Sequence, residues 1–208
     1  MIKTKRTVVV MGGLKGGTSS IAGALSILGV HMGDDLSGNG EYEDRAFMDQ
    51  PVDNMREAIA KRNQEHVVWG WKFYKTCFFI KHIIDDLVNP CFIMVVRDPY
   101  AAALSMSKRL HLPAMVSYVR VMDQLSENFE FMMRVGVKLS CFPISYEYLI
   151  RFPEETIERM VSNLGLEVEP EALKAAIEFV QPGQYQRGKR RGKEASIANT
   201  KNTITTEN

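Results

Sequence analysis

The sequence predicts a three-layer α/β/α protein, with helices on both faces of a central parallel sheet. Three observations point that way. Short apolar, largely β-branched runs alternate with helical patterns along most of the 208 residues. The first run is closed by Gly12 and Gly13 and leads directly into a helical stretch. Cys91 to Val96 is apolar without interruption, as a strand covered on both faces should be.

Each element has its own signal. Thr7 to Met11 reads as a buried strand. Ser19 to Leu28 follows with Ile21, Ala24, Leu25 and Leu28 on one helical face, and Gly29 ends it. His31 to Gly40 is rich in Gly, Asp, Ser and Asn and reads as a loop. Arg45 to Arg62 contains a helix, Val67 to Lys72 is an aromatic strand, and Thr76 to Val88 is expected to be helical until Asn89-Pro90 stops it. After the Cys91 run, Pro99 starts a helix at a position where proline loses no hydrogen bond. Pro113 to Val135 is long and amphipathic, and its Met115, Met122, Phe129, Met132 and Met133 are expected to be core contacts. Phe142 to Ser145 is a strand. Pro153 to Leu164 is a helix with Glu154 and Glu155 at its positive end, and Pro170 to Val180 is the last helix. Residues 1–180 thus read as one α/β domain. Residues 181–208 read as a basic, flexible C-terminal tail, with roughly the last ten residues disordered.

Composition narrows the function. Apolar residues are 45 % and charged residues 25 %, as in a soluble globular protein. Twenty-six Lys and Arg against 25 Asp and Glu leave a net charge near +1, which argues against a dedicated nucleic-acid partner. No apolar run approaches the roughly 20 residues of a membrane span, and the start lacks the longer apolar stretch of a signal peptide, so a cytoplasmic location without membrane insertion is expected. Cys77, Cys91 and Cys141 have no metal or disulfide spacing and read as reduced thiols in or near the core.

The strongest chemical signal is Gly12-Gly13-Leu14-Lys15-Gly16-Gly17-Thr18-Ser19, between the first strand and the first helix. Glycines let the backbone aim several N–H groups at one anion, and a helix N-terminus adds partial positive charge. Lys15 adds a full charge, and Thr18 and Ser19 add hydroxyls. This is a phosphate cradle, so the fold expected is P-loop NTPase-like. It departs from the Walker pattern, because Thr18 stands where the lysine belongs and Lys15 comes earlier. Arg97 also precedes Asp98 at the end of the Cys91 strand, where a metal-holding carboxylate would sit. An arginine fork there suits a second phosphate, and Ser105, two helical turns on, offers a hydroxyl.

With these residues in place, the chain resembles the sulfotransferases that use 3′-phosphoadenosine 5′-phosphosulfate (PAPS). Lys15-Gly16-Gly17-Thr18-Ser19 resembles that family's loop for the 5′-phosphosulfate, and Arg97, Pro99 and Ser105 match its 3′-phosphate motif in type and spacing. Tyr146-Glu147-Tyr148-Leu149, Phe152-Pro153-Glu154 and Asn163-Leu164-Gly165-Leu166 resemble a later segment whose first tyrosine lies by the adenine; here that is Tyr146. Trp69-Gly70-Trp71-Lys72 resembles a strand of bacterial members. The resemblance implies PAPS as co-substrate, no required metal, and Lys15 neutralising the leaving phosphate. Glu43, in Glu41-Tyr42-Glu43-Asp44, is the implied base, with Glu41 and Asp44 as alternatives and His31 and His111 behind them. Lys72 is the candidate contact to the transferring sulfonate or the acceptor, a small molecule or carbohydrate presenting a hydroxyl or amine. Phe73-Tyr74-Lys75 departs from the Asp-Pro-Arg that commonly follows in bacterial relatives, and Tyr148 replaces an aspartate. The basic cluster Arg187 to Lys193 is a candidate loop for closing the nucleotide site. Two other readings compete, an ATP-dependent P-loop phosphotransferase and a nucleotide-binding relative without turnover. Oligomeric state is not legible.

Overall fold

A computed structural model describes residues 4–36, 41–135 and 140–181. Four strands, β1 (Arg6–Gly12), β2 (Val68–Lys72), β3 (Cys91–Val96) and β4 (Ser140–Ser145), form one parallel sheet in the order β2-β1-β3-β4. Among the described residues eight α-helices accompany them: α1 (Thr18–Ile27), α2 (Val52–Glu65), α3 (Thr76–Phe79), α4 (Pro99–Leu110), α5 (Ala114–Val135), α6 (Tyr146–Arg151), α7 (Pro153–Leu164) and α8 (Pro170–Val180). No helix among the described residues is long and apolar enough to cross a membrane.

Alternation along the strands makes the three layers. Val8 and Val10 of β1 pack with Ile93 and Val95 of β3 beneath α1, α7 and α8. Their neighbours Val9, Met11, Phe92 and Met94 face the other way, toward Phe47, Met55 and Ile59, with Phe131 and Met132 of α5 against them. Both faces of β1 and β3 are therefore dry, as parallel strands require. Cys91 is buried, and Cys77 and Cys141 are half-buried; all three are free thiols, with burial pushing Cys77 and Cys141 up to about 11.

Two expectations are corrected. Thr76 to Val88 is not one helix. After one turn of α3 the chain continues as 3-10 turns over Ile80–His82 and Ile84–Asp86. The three-residue period points Ile80 and Ile83 into the core together, and Leu87 joins them. The second correction concerns α5. Of the five residues expected in the core, only Met132 packs there; Met115, Met122, Phe129 and Met133 are exposed. The buried face of α5 is formed by Val121 and Leu125 with the polar Ser117, Gln124 and Asn128. The basic cluster 187–193 lies outside the described residues.

One buried ion pair fixes the segment between α1 and α2. Arg62 of α2 is 2 % exposed and its guanidinium meets Asp44, fully buried, at 2.5 Å. Arg62 also reaches Asp34 and lies over the rings of Phe47 and Trp69, 5.3 and 5.6 Å from their centres. Asp44 in turn accepts from the Ala46 N–H and caps the 3-10 turn Arg45–Phe47. Arg62→Leu would leave Asp44 as an uncompensated buried charge, which costs about 3–5 kcal/mol. Urea unfolding should show that loss, and Asp44→Asn in the same chain should return part of it.

Candidate active site

The loop after β1 closes on itself before α1 begins. The Gly16 N–H donates to the Gly13 carbonyl at 2.9 Å and the Ser20 N–H to the Gly17 carbonyl at 3.0 Å. The turn puts Lys15 in the left-handed region at φ 58° and Gly17 at φ 86°. A lysine held there is strained, as residues at functional sites often are. Gly17 is required for a further reason: a Cβ on it would sit 2.1 Å from Cδ2 of Tyr146. The Gly16 N–H is engaged within the turn, which leaves the amides that open α1 as the candidate donors to an anion. Thr18 is buried, and the Ser19 hydroxyl donates to the Glu41 carbonyl at 3.1 Å.

The loop is held from two sides. From β3, Arg97 donates through Nη1 to the Lys15 carbonyl at 2.9 Å, and its guanidinium lies 4.7 Å from the centre of the Tyr146 ring. Its Nε is buried and has no hydrogen-bond partner among the described residues. From α5, the Gln124 side chain accepts from the Leu14 N–H at 2.9 Å and donates to the Tyr74 carbonyl at 2.8 Å. A buried glutamine thus ties the glycine loop to the segment after β2, and Asn128 donates to the Gln124 carbonyl one turn on.

A second group of charges lies beside Lys15. Glu43 and Lys72 are both less than a tenth exposed, and the Lys72 ammonium donates to Oε1 of Glu43 and to the Glu41 carbonyl, each at 2.9 Å. The backbones of Glu43 and Lys72 are bridged in parallel, which extends the edge of β2 by one residue pair. The Glu41 carboxylate is 3.9 Å from the Lys15 ammonium and pairs with Arg109, from the last turn of α4. Burial would raise the Glu41 carboxyl, but the hydrogen bond and charge of Arg109, with Lys15 and Lys72, outweigh it and hold it below the usual carboxylate range.

Not every candidate joins this cluster. Ser105 is half-buried on α4 and makes no hydrogen bond to Arg97 among the described residues. Tyr146 lies against Gly17 and Arg97. Asp44 is committed to Arg62. His111 is an exposed left-handed cap at the end of α4. His31 bridges to Trp69, near the start of β2, and stacks on His66 with ring centres 3.8 Å apart and planes at 11°. His31, Asp34 and His66 present ligand atoms within 4.8 Å of one another. Parallel rings, however, do not aim their nitrogens at a common point. Sequence reasoning missed Arg109 and Gln124. The signal for Gln124 was a polar residue on the inward stripe of an amphipathic helix.

The sulfotransferase family's sequence profile matches residues 26–170. The chain belongs to the sulfotransferase family. The match begins inside α1, so the glycine loop lies just ahead of it. Among solved structures, the chain is similar to the sulfotransferase domain of an olefin synthase from Synechococcus PCC 7002, with TM-score 0.59 and 16 % identity over 83 % of this chain and 77 % of that one. It is similar to a mouse sulfotransferase complexed with PAP, at TM-score 0.57 and 11 % identity over 88 % and 69 %. A sugar kinase from Janibacter sp. HTCC2649 also superposes, at TM-score 0.51 and 18 % identity over 81 % and 98 %. No curated protein matches the chain in sequence. The structures share its fold, and the profile gives the activity of this sulfotransferase as sulfuryl transfer.

Gly17→Ala tests how tightly the loop and Tyr146 are fitted. It combines a left-handed alanine, costing about 1 kcal/mol, with a clash against the Tyr146 ring. Thermal melts should show a large loss for Gly17→Ala. In the double variant with Tyr146→Ala the two losses should fall short of additive, because the clash is gone and only the backbone strain remains.

Proposed function

We propose that the donor of this sulfotransferase is PAPS, and that its two phosphate ends are held by Lys15 with the opening amides of α1 and by Arg97 with Ser105. The observation that carries this reading is Arg97. It stands at the end of β3, is half-buried, and keeps beside the loop it braces a buried Nε that has no partner among the described residues. A guanidinium so placed suits a phosphate, which accepts from two of its N–H groups at once. The relative complexed with PAP, the desulfated nucleotide, lends support through the shared fold. Tyr146, against Gly17 and Arg97, is the candidate neighbour of the base.

The nucleotide supplies the sulfuryl group and a phosphate that leaves with added negative charge. Lys15 would offset that charge, and preorganised amide donors of this kind are worth about 3 kcal/mol each. The acceptor proton would go to Glu43. Lys72 donates to its Oε1, so the proton would go to the other oxygen. Arg109, Lys15 and Lys72 stabilise the ionised form of Glu41, which weakens it as a base. Lys72 would hold Glu43 in place and face the transferring group. The acceptor class proposed is a small molecule or carbohydrate carrying a hydroxyl or amine.

The phosphotransferase reading has the sugar kinase's shared fold in its favour. It fares worse at β3, where the Asp98 carboxylate accepts from the Ala101 N–H at 2.7 Å and serves as the cap of α4. Calorimetric titration separates the two. Wild type should bind 3′-phosphoadenosine 5′-phosphate with micromolar affinity and ATP with magnesium far more weakly. Arg97→Ala should lose the first, while Glu43→Gln should keep it and lower turnover about 10²–10⁴-fold once an acceptor is in hand. Tighter ATP binding, or an unchanged Arg97→Ala protein, would overturn the proposal.

A further inference from the structure

The ladder between β1 and β2 ends with Val10 opposite Lys72. The residues that matter to the reaction lie at or beyond that point. Among the described residues no backbone hydrogen bond joins the glycine loop, 13–17, to the segment 73–76. The side chain of Gln124 spans the two. Its Oε1 accepts from the Leu14 N–H at 2.9 Å, and its Nε2 donates to the Tyr74 carbonyl at 2.8 Å. Leu14 directly precedes Lys15, and Tyr74 comes two residues after Lys72.

Both ends of this tie are anchored. Leu14 packs with Met106, Val121 and Leu125, and a Cβ on Gly13 would meet Cδ2 of Leu125 at 3.4 Å. On the other side, the Thr76 hydroxyl and N–H both donate to the Phe73 carbonyl, at 2.8 and 3.3 Å, and the Trp71 indole donates to that hydroxyl at 3.3 Å. This turn binds Tyr74 back to β2. The chemistry of the tie is restrictive. A backbone N–H can only donate and a carbonyl can only accept, so the side chain between them must do both. Glutamine does. Leucine does neither, and an ionised glutamate accepts without donating. Gln124 is 7 % exposed, beside the apolar Val121 and Leu125 on the inward stripe of α5. A buried amide is tolerated where its groups are satisfied, and here both ends are used.

We infer that Gln124 is a positioning residue for sulfuryl transfer: its amide sets the loop that carries Lys15 against the segment that follows Lys72, so that the donor and acceptor sides of the site move as one body. The inference rests on the roles proposed above for Lys15 and Lys72. Gln124 acts through these two segments and is assigned no contact with a reacting atom. Because the tie uses backbone atoms of residues 14 and 74, it holds whatever side chains follow Lys72, including the Phe73-Tyr74-Lys75 that departs from bacterial relatives.

Hydrogen exchange read by mass spectrometry tests this on the full chain, free and with saturating 3′-phosphoadenosine 5′-phosphate. Rates are compared as protection factors, which removes the ordinary pH dependence of exchange. Gln124→Leu should lower protection about 10-fold or more at residues 14–17 and 73–76 together, the scale of a buried hydrogen-bonding group left unsatisfied, while β3 keeps its wild-type values. Gln124→Glu should lose protection in the same two places at about pH 8 and recover most of it by about pH 5.5. Burial holds that carboxyl above the usual carboxylate range, and its protonated form donates to Tyr74 as the amide does. Gln124→Leu should show no such recovery. The near-isosteric Gln124→Glu carries the test by itself where the leucine chain fails to fold. With the nucleotide bound, wild type should gain protection at the loop and at 73–76, and Gln124→Leu at the loop alone. Unchanged protection at either segment in Gln124→Leu, no recovery of Gln124→Glu at low pH, or nucleotide protection that reaches 73–76 equally in both proteins would overturn the inference. A wild type that binds no nucleotide would overturn the donor reading instead, and the ligand-free protection factors would still decide whether Gln124 holds the two segments together.

Discussion

The Arg97 guanidinium joins three parts of the chain that are far apart in sequence. It leaves the end of β3, donates to the carbonyl of Lys15 in the loop after β1, and covers the Tyr146 ring at the start of α6. Tyr146 in turn fills the space beside Gly17 that any side chain there would need. A charged hydrogen bond is worth about 1.5–3 kcal/mol and a stacked guanidinium about 0.5–2 kcal/mol. Those sums are modest beside the core. Their importance lies in geometry, because the same side chain braces the loop and keeps beside it a buried donor with no partner among the described residues.

The acidic segment before α2 is held in a comparable way, from below. Arg62 and Asp44 form a buried pair among Phe47 and Trp69, and the residue next to Asp44 is Glu43. Buried pairs seldom add net stability over apolar packing, but breaking one is expensive, so they fix position well. Here the pair sets where Glu41 and Glu43 meet Lys15 and Lys72. The result is a site in which cations and carboxylates alternate: Lys15, Glu41, Arg109 on one side, Lys72 and Glu43 on the other. Such mixed charge suits a reaction that needs both an acid-stabilised leaving group and a base.

Much of this was legible in the residues. The strand, glycine loop and helix at the start, the Cys91 strand and the two Pro-initiated helices at the end lie where the apolar pattern puts them, because local signals and burial agree there. The link of Glu43 to Lys72 and of Arg97 to Lys15 also joins residues singled out by type and position. What was not legible has physical causes. Ile83 and Ile84 fit a helical count, but the core drew Ile80 and Ile83 inward through 3-10 turns. The methionines of α5 fit a buried stripe as well as Gln124 and Asn128 do not, yet the polar pair went inside, because Gln124 satisfies the Leu14 N–H and the Tyr74 carbonyl. Arg109 carries no motif, and only the folded path of α4 brings it to Glu41.

The most direct measurement of the central claim is a crystal structure with 3′-phosphoadenosine 5′-phosphate bound. The account predicts the 3′-phosphate on the Arg97 guanidinium and the Ser105 hydroxyl, the 5′-phosphate on the first-turn amides of α1 beside Lys15, and the adenine near Tyr146. A nucleotide bound in the reverse sense, or lodged away from the ends of β1 and β3, would contradict it.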